Sequence, residues 1–257
     1  MKQSDFRILE DGVPQTISFF SKDELPLIYG VAIDTSGSTK KSLNQTIDAA
    51  QIVVRSNKPS DETSLIAFKD QPELLEEFIG KEIILGTLDS MRGTASRQSA
   101  VRDAVYVAVK HVIEYKPMNY VSRRALIIIT DGSDNDSYYR LDELRKFLRK
   151  QGIQIFALGY GLSEIGKTLG KKKQQQAIDF LTEVTKETGG QAYFPQSEIE
   201  LREAARQLSN TLHTHYVIGY SPSNEGKTGS YHKVSVIIDD AAGRDKRVAL
   251  TIAGYAE

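Results

Sequence analysis

The chain of 257 residues contains no cysteine. That excludes thiol catalysis, cysteine-ligated zinc and disulfide bonds, and it leaves the redox compartment open. It also lacks a dominant charge: 33 lysines and arginines stand against 34 aspartates and glutamates, a formal net charge of -1. Without a basic field, nothing argues for nucleic acid or an anionic membrane surface as a partner. No stretch reaches the ~20 consecutive apolar residues of a membrane-spanning helix. The opening MKQSDF has no signal-peptide character, so any export signal is expected upstream of it. What is present is ordinary for a globular protein: 40% hydrophobic and 26% charged residues, enough for a sizeable core in one large domain with a small appendage.

The stretch Val31 to Thr39, VAIDTSGST, organises the rest. The apolar run Leu27 to Ile33 reads as a buried strand that stops at Asp34. Small hydroxylated residues follow, and the spacing of Leu43, Ile47, Ala50 and Val54 then predicts a helix. In an open α/β sheet, ligands sit at the carboxyl ends of strands, where this loop falls. Asp34-x-Ser36-x-Ser38 offers one carboxylate and two hydroxyls, hard oxygen donors of the kind Mg²⁺ takes. The competing reading is that Ser36 or Ser38 caps the helix, and donors from other loops must decide between the two.

The chain ends read as β structure. Phe6 and Ile8, then Ile17 and Phe19, suggest a hairpin about a Glu10-Asp11-Gly12 turn, too small to stand alone. Tyr216 to Tyr220, Val234 to Ile238 and Val248 to Ile252 are three further strand-like runs, so both ends are expected to share one β layer. The divisions expected are 1–24, 25–212 and 213–257.

Between the ends, strands and helices alternate. Strands are predicted at Ser64 to Phe68, Leu126 to Ile129, Ile153 to Leu158 and Ala192 to Phe194. Glu73 to Phe78 fits either a strand or a short helix. Helices are predicted within Ser99 to Tyr115, Leu141 to Lys150, Ala177 to Thr188 and Leu201 to Leu212. The biased run Lys171 to Gln176 is a solvated loop or a helix start. This order argues for an α/β fold with a doubly wound, mostly parallel sheet flanked by helices.

Asp131, ending ALIIITDG, is the natural companion of Asp34 at the top of such a sheet, and Thr94, Ser96 and Ser99 supply hydroxyls before the next helix. With Asp34, Ser36, Ser38 and Asp131 in place, the chain resembles a von Willebrand factor type A domain. The metal-ion-dependent adhesion site of that family joins Asp-x-Ser-x-Ser to a threonine on a second loop and an aspartate on a third. DFRILEDGVPQTISFFSKDE, LTEVTKETGGQAYFP, HYVIGYSP and the final AGY make essentially the whole chain similar to the VWFA-related Acidobacterial domain proteins. The family's Gly-Gly-Thr-Ala pattern is altered here to Arg97-Gln98-Ser99-Ala100. By register the third-loop ligand is therefore Ser99, with Thr94 the runner-up.

The resemblance implies a Rossmann-like type A fold and a bound Mg²⁺, or Mn²⁺ or Ca²⁺ in its place. It further implies a protein partner that fills the open metal position with an acidic group, no turnover, and an extracytoplasmic location. No nucleophile or tuned base accompanies the site, in keeping with a non-enzyme. Asp134 and Asp136 either add negative potential at the rim or form a turn that caps the helix from Leu141. Against this stands a nucleotide- or phosphate-handling enzyme: Gly161 to Thr168 fits G-x-x-x-x-G-K-[ST], with Lys167 for phosphate and Thr168 for Mg²⁺. Glu164 inside that loop, and the Gly170 and lysine interruption after it, count against it. A flexible loop is the alternative. His213, His215 and His232 are weighed as a zinc group, and the absence of a fourth ligand favours ordinary histidines.

Overall fold

The computed structural model describes residues 1–22, 25–92, 99–117, 122–223, 231–239, 248–252 and 254–256. The elements in chain order are β1 (Phe6–Glu10), β2 (Val13–Gln15), β3 (Ile17–Ser21), β4 (Leu27–Asp34), α1 (Leu43–Arg55), β5 (Glu62–Phe68), β6 (Pro72–Ile79), α2 (Lys81–Ser90), α3 (Val101–Glu114), β7 (Arg123–Thr130), α4 (Leu141–Leu148), β8 (Gln154–Gly159), α5 (Leu162–Thr168), α6 (Lys171–Glu187), β9 (Ala192–Tyr193), α7 (Glu198–His213), β10 (Val217–Tyr220), β11 (Tyr231–Ile238) and β12 (Gly254–Ala256).

The central sheet has the order β6-β5-β4-β7-β8-β9. Its neighbours pair in parallel except β6, which runs antiparallel to β5 at the edge. Every residue of β4 is buried, as a central parallel strand covered on both faces requires. Alternate side chains divide between two cores. Tyr29, Val31 and Ile33 join Ile127 and Ile129 under Leu43, Ile47 and Val54 of α1, Ile84 and Leu88 of α2, and Leu201, Leu208 and Leu212 of α7. Ala32, Leu126 and Ile128 face the other way, towards Val101, Val105 and Val109 of α3, Leu144 of α4 and Leu181 of α6. Each fully buried aliphatic side chain contributes ~1.5–3 kcal/mol, which is why the helical stripes settle on the sheet as they do.

The termini depart from the single β layer expected. They do pair, but in two small sheets, β12-β11-β1-β2 and β10-β3. The chain leaves the first sheet at Thr16, after Pro14 has confined β2 to an edge, and β3 pairs with β10 instead of β1. The aromatic rings of Phe6, Phe20 and Tyr216, with centroids 5.2–5.6 Å apart, hold the two sheets together. Val248 to Ile252 is not a strand; the third tail strand is β12, where Lys233 pairs with Gly254. Three helices also differ from the pattern. α2 goes unread because only Ile84 and Leu88 of its ten residues are buried. α6 begins at Lys171, so the lysine–glutamine run is its exposed first turns. Gly161 to Thr168 is not a loop: Gly161 is the N-cap and Leu162–Thr168 is α5 itself.

Candidate functional site

Asp34 closes β4 between Phe68 of β5 and Thr130 of β7, where three parallel strands end at one level. The chain turns at once, because Thr35 donates both its N–H (2.8 Å) and its hydroxyl (3.1 Å) to Phe68 O. Ser36 N–H donates to Asp34 Oδ1 at 2.9 Å, and Thr39 Oγ1 donates to the carbonyls of Asp34 and Ser36 at 3.0 and 2.9 Å. The Ser36 and Ser38 hydroxyls lie 3.0 Å apart and cap nothing: α1 begins after Ser42, and neither serine side chain serves its N–H groups. The helix-capping alternative for these serines is therefore not realised.

The other loops converge on the same carboxylate. Ser99 Oγ donates to Asp34 Oδ2 at 3.3 Å, while its backbone exchanges two 3.2 Å hydrogen bonds with Asn135. Thr130 Oγ1 donates to Asp34 Oδ2 at 2.6 Å and accepts the N–H of Gly132 at 2.9 Å. Asp131 accepts from Ser133 N–H at 2.8 Å and is 2% exposed. Burial, and next the charge of Asp131, push the Asp34 carboxyl up to about 6. Among the described residues no lysine or arginine pairs with either carboxylate. Asp34, Ser36, Ser38, Ser99 and Asp131 thus gather at the top of the sheet; Thr94 lies outside the described residues.

The donor set suits a hard divalent ion: two carboxylates and several hydroxyls, all oxygen, with uncompensated negative charge. Ser133 Oγ, beside Asp131, is buried with no hydrogen-bond partner, an orphan that an ion or its water would satisfy. Sequence reasoning missed Thr130 and Ser133. Thr130 looked like the end of a strand, and only the register of β4 against β7 brings its hydroxyl to Asp34.

The rim is built by the segment after Asp131. Gly132, at φ 77°, turns the chain so closely past α6 that an added Cβ would stand 3.0 Å from Ala177 Cβ. Asp134 pairs with Arg102 at 2.9 Å and accepts the Arg102 N–H at 3.1 Å, so it caps α3, whereas the sequence left it as a rim charge or a cap on the helix from Leu141. Asp103 in turn accepts the N–H groups of Tyr138 and Tyr139. Arg140 N–H is taken by Glu143, at the start of α4 itself.

The competing groups do not assemble. In α5 the N–H groups of Glu164 and Ile165 are spent on Gly161 O, Lys167 pairs with Glu164 at 2.9 Å and Thr168 Oγ1 donates to Glu164 O. With the lysine and threonine turned onto Glu164 of the same helix, the segment is a short helix and not an open phosphate-cradling loop. His213 bonds Asp61, His215 meets Arg123 and His232 faces Asp11, so the histidine triad is not a zinc site.

A mostly parallel sheet with helices on both faces carries an oxygen-rich cluster at its strand ends, where open α/β sheets place their sites. Residues 30–207 match the model of the von Willebrand factor type A domain, and the chain belongs to that family. VWA domains are generally protein-interaction modules, and many bind a divalent metal. No curated protein matches the chain. Among solved structures it is similar to a von Willebrand factor type A protein from Catenulispora acidiphila, with 10% identity, TM-score 0.58, and 93% of this chain and 70% of that one covered. It is also similar to an aerotolerance-related membrane protein from Bacteroides fragilis (18%, TM-score 0.56, 72% and 99% covered). A third neighbour is the PilB minor pilin from Streptococcus sanguinis (11%, TM-score 0.55, 76% and 63% covered). At these identities the likeness is one of fold.

Proposed function

We propose that the chain is a metal-dependent protein-binding module of adhesion type, not an enzyme. In this reading Asp34, Ser36, Ser38, Ser99 and Asp131 hold one Mg²⁺, or Mn²⁺ or Ca²⁺, and an acidic side chain of a partner protein completes the ion's shell. Residues 25–212 form the interaction domain, 1–24 and 213–257 its β appendage, and the setting is extracytoplasmic by family resemblance. The observation that carries the reading is the pair of buried carboxylates, Asp34 and Asp131, with hydroxyls on one of them and, among the described residues, no lysine or arginine paired to either. Two such charges at the ends of adjacent strands are mutually destabilising until a cation joins them. When bound, the ion supplies a Lewis-acidic position for carboxylate. The protein's part is to orient the donors, with Thr130 and Ser133 fixing the two aspartates by hydrogen bonds.

Calorimetric titration of the metal-stripped protein with Mg²⁺, and separately with ATP, tests this. Mg²⁺ should bind the native chain and Lys167→Ala alike and fail to bind Asp34→Ala, and ATP should give no heat. Phosphate release from ATP that disappears in Lys167→Ala would overturn the reading in favour of an enzyme.

A further inference from the structure

The paired chain ends bring together a second group of metal-ligating side chains, remote in sequence from the first and independent of it. Glu10 ends β1, Asp11 starts the turn to β2, and His232 lies on β11, the antiparallel neighbour of β1. One ligand atom from each lies within 4.8 Å of the others. Glu10 is 1% exposed and His232 6%, while the Asp11 carboxylate opens to solvent.

Each ligand is held by its own supports. Asp11 adopts φ 51°, unusual for a side-chain-bearing residue, and is locked to β11: its N–H donates to Lys233 O at 2.9 Å and its Oδ1 accepts from Lys233 N–H at 2.8 Å. That leaves Oδ2 directed at His232 Nδ1, 2.8 Å away. Two phenols, Tyr220 at 2.5 Å and Tyr255 at 3.2 Å, both donate to Glu10 Oε2. The other oxygen, Oε1, accepts no hydrogen bond among the described residues and points towards His232 Nδ1 at 3.9 Å. A nine-tenths-buried carboxylate is thereby oriented by outer partners while its free oxygen is aimed into the cluster, the arrangement that metal ligands characteristically show. Among the described residues no lysine or arginine pairs with Glu10 or Asp11.

We propose that Glu10, Asp11 and His232 form a second divalent-cation site, for a transition ion of the Zn²⁺ class, that ties the two ends of the chain together. The donor set selects the ion: an imidazole nitrogen beside two carboxylates suits Zn²⁺, whereas Mg²⁺ and Ca²⁺ take oxygen throughout. Solvent at the Asp11 side supplies the remaining position. Since Asp11 and His232 are 221 residues apart, the ion binds only the folded arrangement and stabilises it.

The test uses the full chain with Mg²⁺ at saturation, so that the site around Asp34 is filled, and titrates Zn²⁺ by calorimetry with parallel thermal melts. The native chain and Asp34→Ala should each take up about one Zn²⁺ and melt at higher temperature with it. Asp11→Asn and His232→Gln should bind at least ~10-fold more weakly and lose that rise in melting temperature. Asp11→Asn keeps an acceptor for Lys233 on an exposed turn, and its circular dichroism and retained Mg²⁺ binding establish that it is folded. Zn²⁺ uptake lost in Asp34→Ala, kept at native affinity in Asp11→Asn, or absent from the native chain would overturn the proposal. The Mg²⁺ measurement is read separately, so none of these outcomes decides the fate of the first site.

Discussion

Thr130 stands between two functions, since one hydroxyl orients Asp34 and closes the turn at Gly132. Thr130→Val keeps its shape and removes both bonds, leaving a buried N–H unpaired. The expected cost is ~1–3 kcal/mol in urea unfolding, with Mg²⁺ affinity reduced ~10–100-fold and largely restored in Thr130→Ser. The Asp34 carboxyl itself, pushed up by burial and by Asp131 to about 6, must lose its proton to take an ion. Mg²⁺ affinity should therefore fall steeply as pH drops below about 6, and calorimetry across pH 5 to 7.5 checks it. For the folded metal-free protein the sign is the raised-acid one: stability is lost as pH rises from the ordinary carboxylate range through about 6, and Mg²⁺ should abolish that loss. His213 gives the opposite case. Its hydrogen bond to Asp61 raises the imidazole pKa, so its stabilisation is fully present below the ordinary value of about 6.5 and fades as pH rises through the folded value. Equilibrium unfolding of His213→Gln should show a flatter dependence on pH in that window.

At the level of elements, the site depends on segments that are braced against one another. The turn after β7 is pinned to α3 by Asp134 and Asp103, and Gly132 can make it only because no Cβ intrudes on Ala177. Gly132→Ala combines a left-handed backbone with that clash, and should cost more than ~1 kcal/mol while displacing Asp131 and weakening Mg²⁺ binding. A melting curve together with the Mg²⁺ isotherm separates the two effects. Asp134→Ala loses a helix cap and an ion pair at once; a loss of ~1–2 kcal/mol is expected by urea titration, with a smaller change in affinity, because Asp134 holds the rim and not the carboxylates.

Across the whole molecule the two chain ends depend on each other. Removing the residues after His213 would take β11 from β1 and β10 from β3, uncovering Phe6 and Ile8, now 7% and 2% exposed. Such a truncation should lower the melting temperature and promote association, measured by scanning fluorimetry and size-exclusion chromatography. An unchanged melting temperature would mean that the β appendage contributes nothing to the type A fold.

The sequence by itself determined the parts governed by local pattern. The apolar run to Ile33 and the spacing from Leu43 to Val54 dictated strand, loop and helix. Alternation along the chain dictated the parallel sheet, and strand ends marked Asp34 and Asp131 as neighbours. What tertiary structure alone decided are relations between residues far apart. The hydroxyl of Thr130 reaches Asp34 through strand register, 96 residues away in the chain. The split of the termini into two sheets follows from which strand each segment meets after Thr16. α2 was hidden because a helix on a sheet edge buries too few side chains to leave a period. The gathering of Glu10, Asp11 and His232 was invisible for the same physical reason: antiparallel pairing of β1 with β11 brings their side chains together, and no spacing along a chain records which strands will pair.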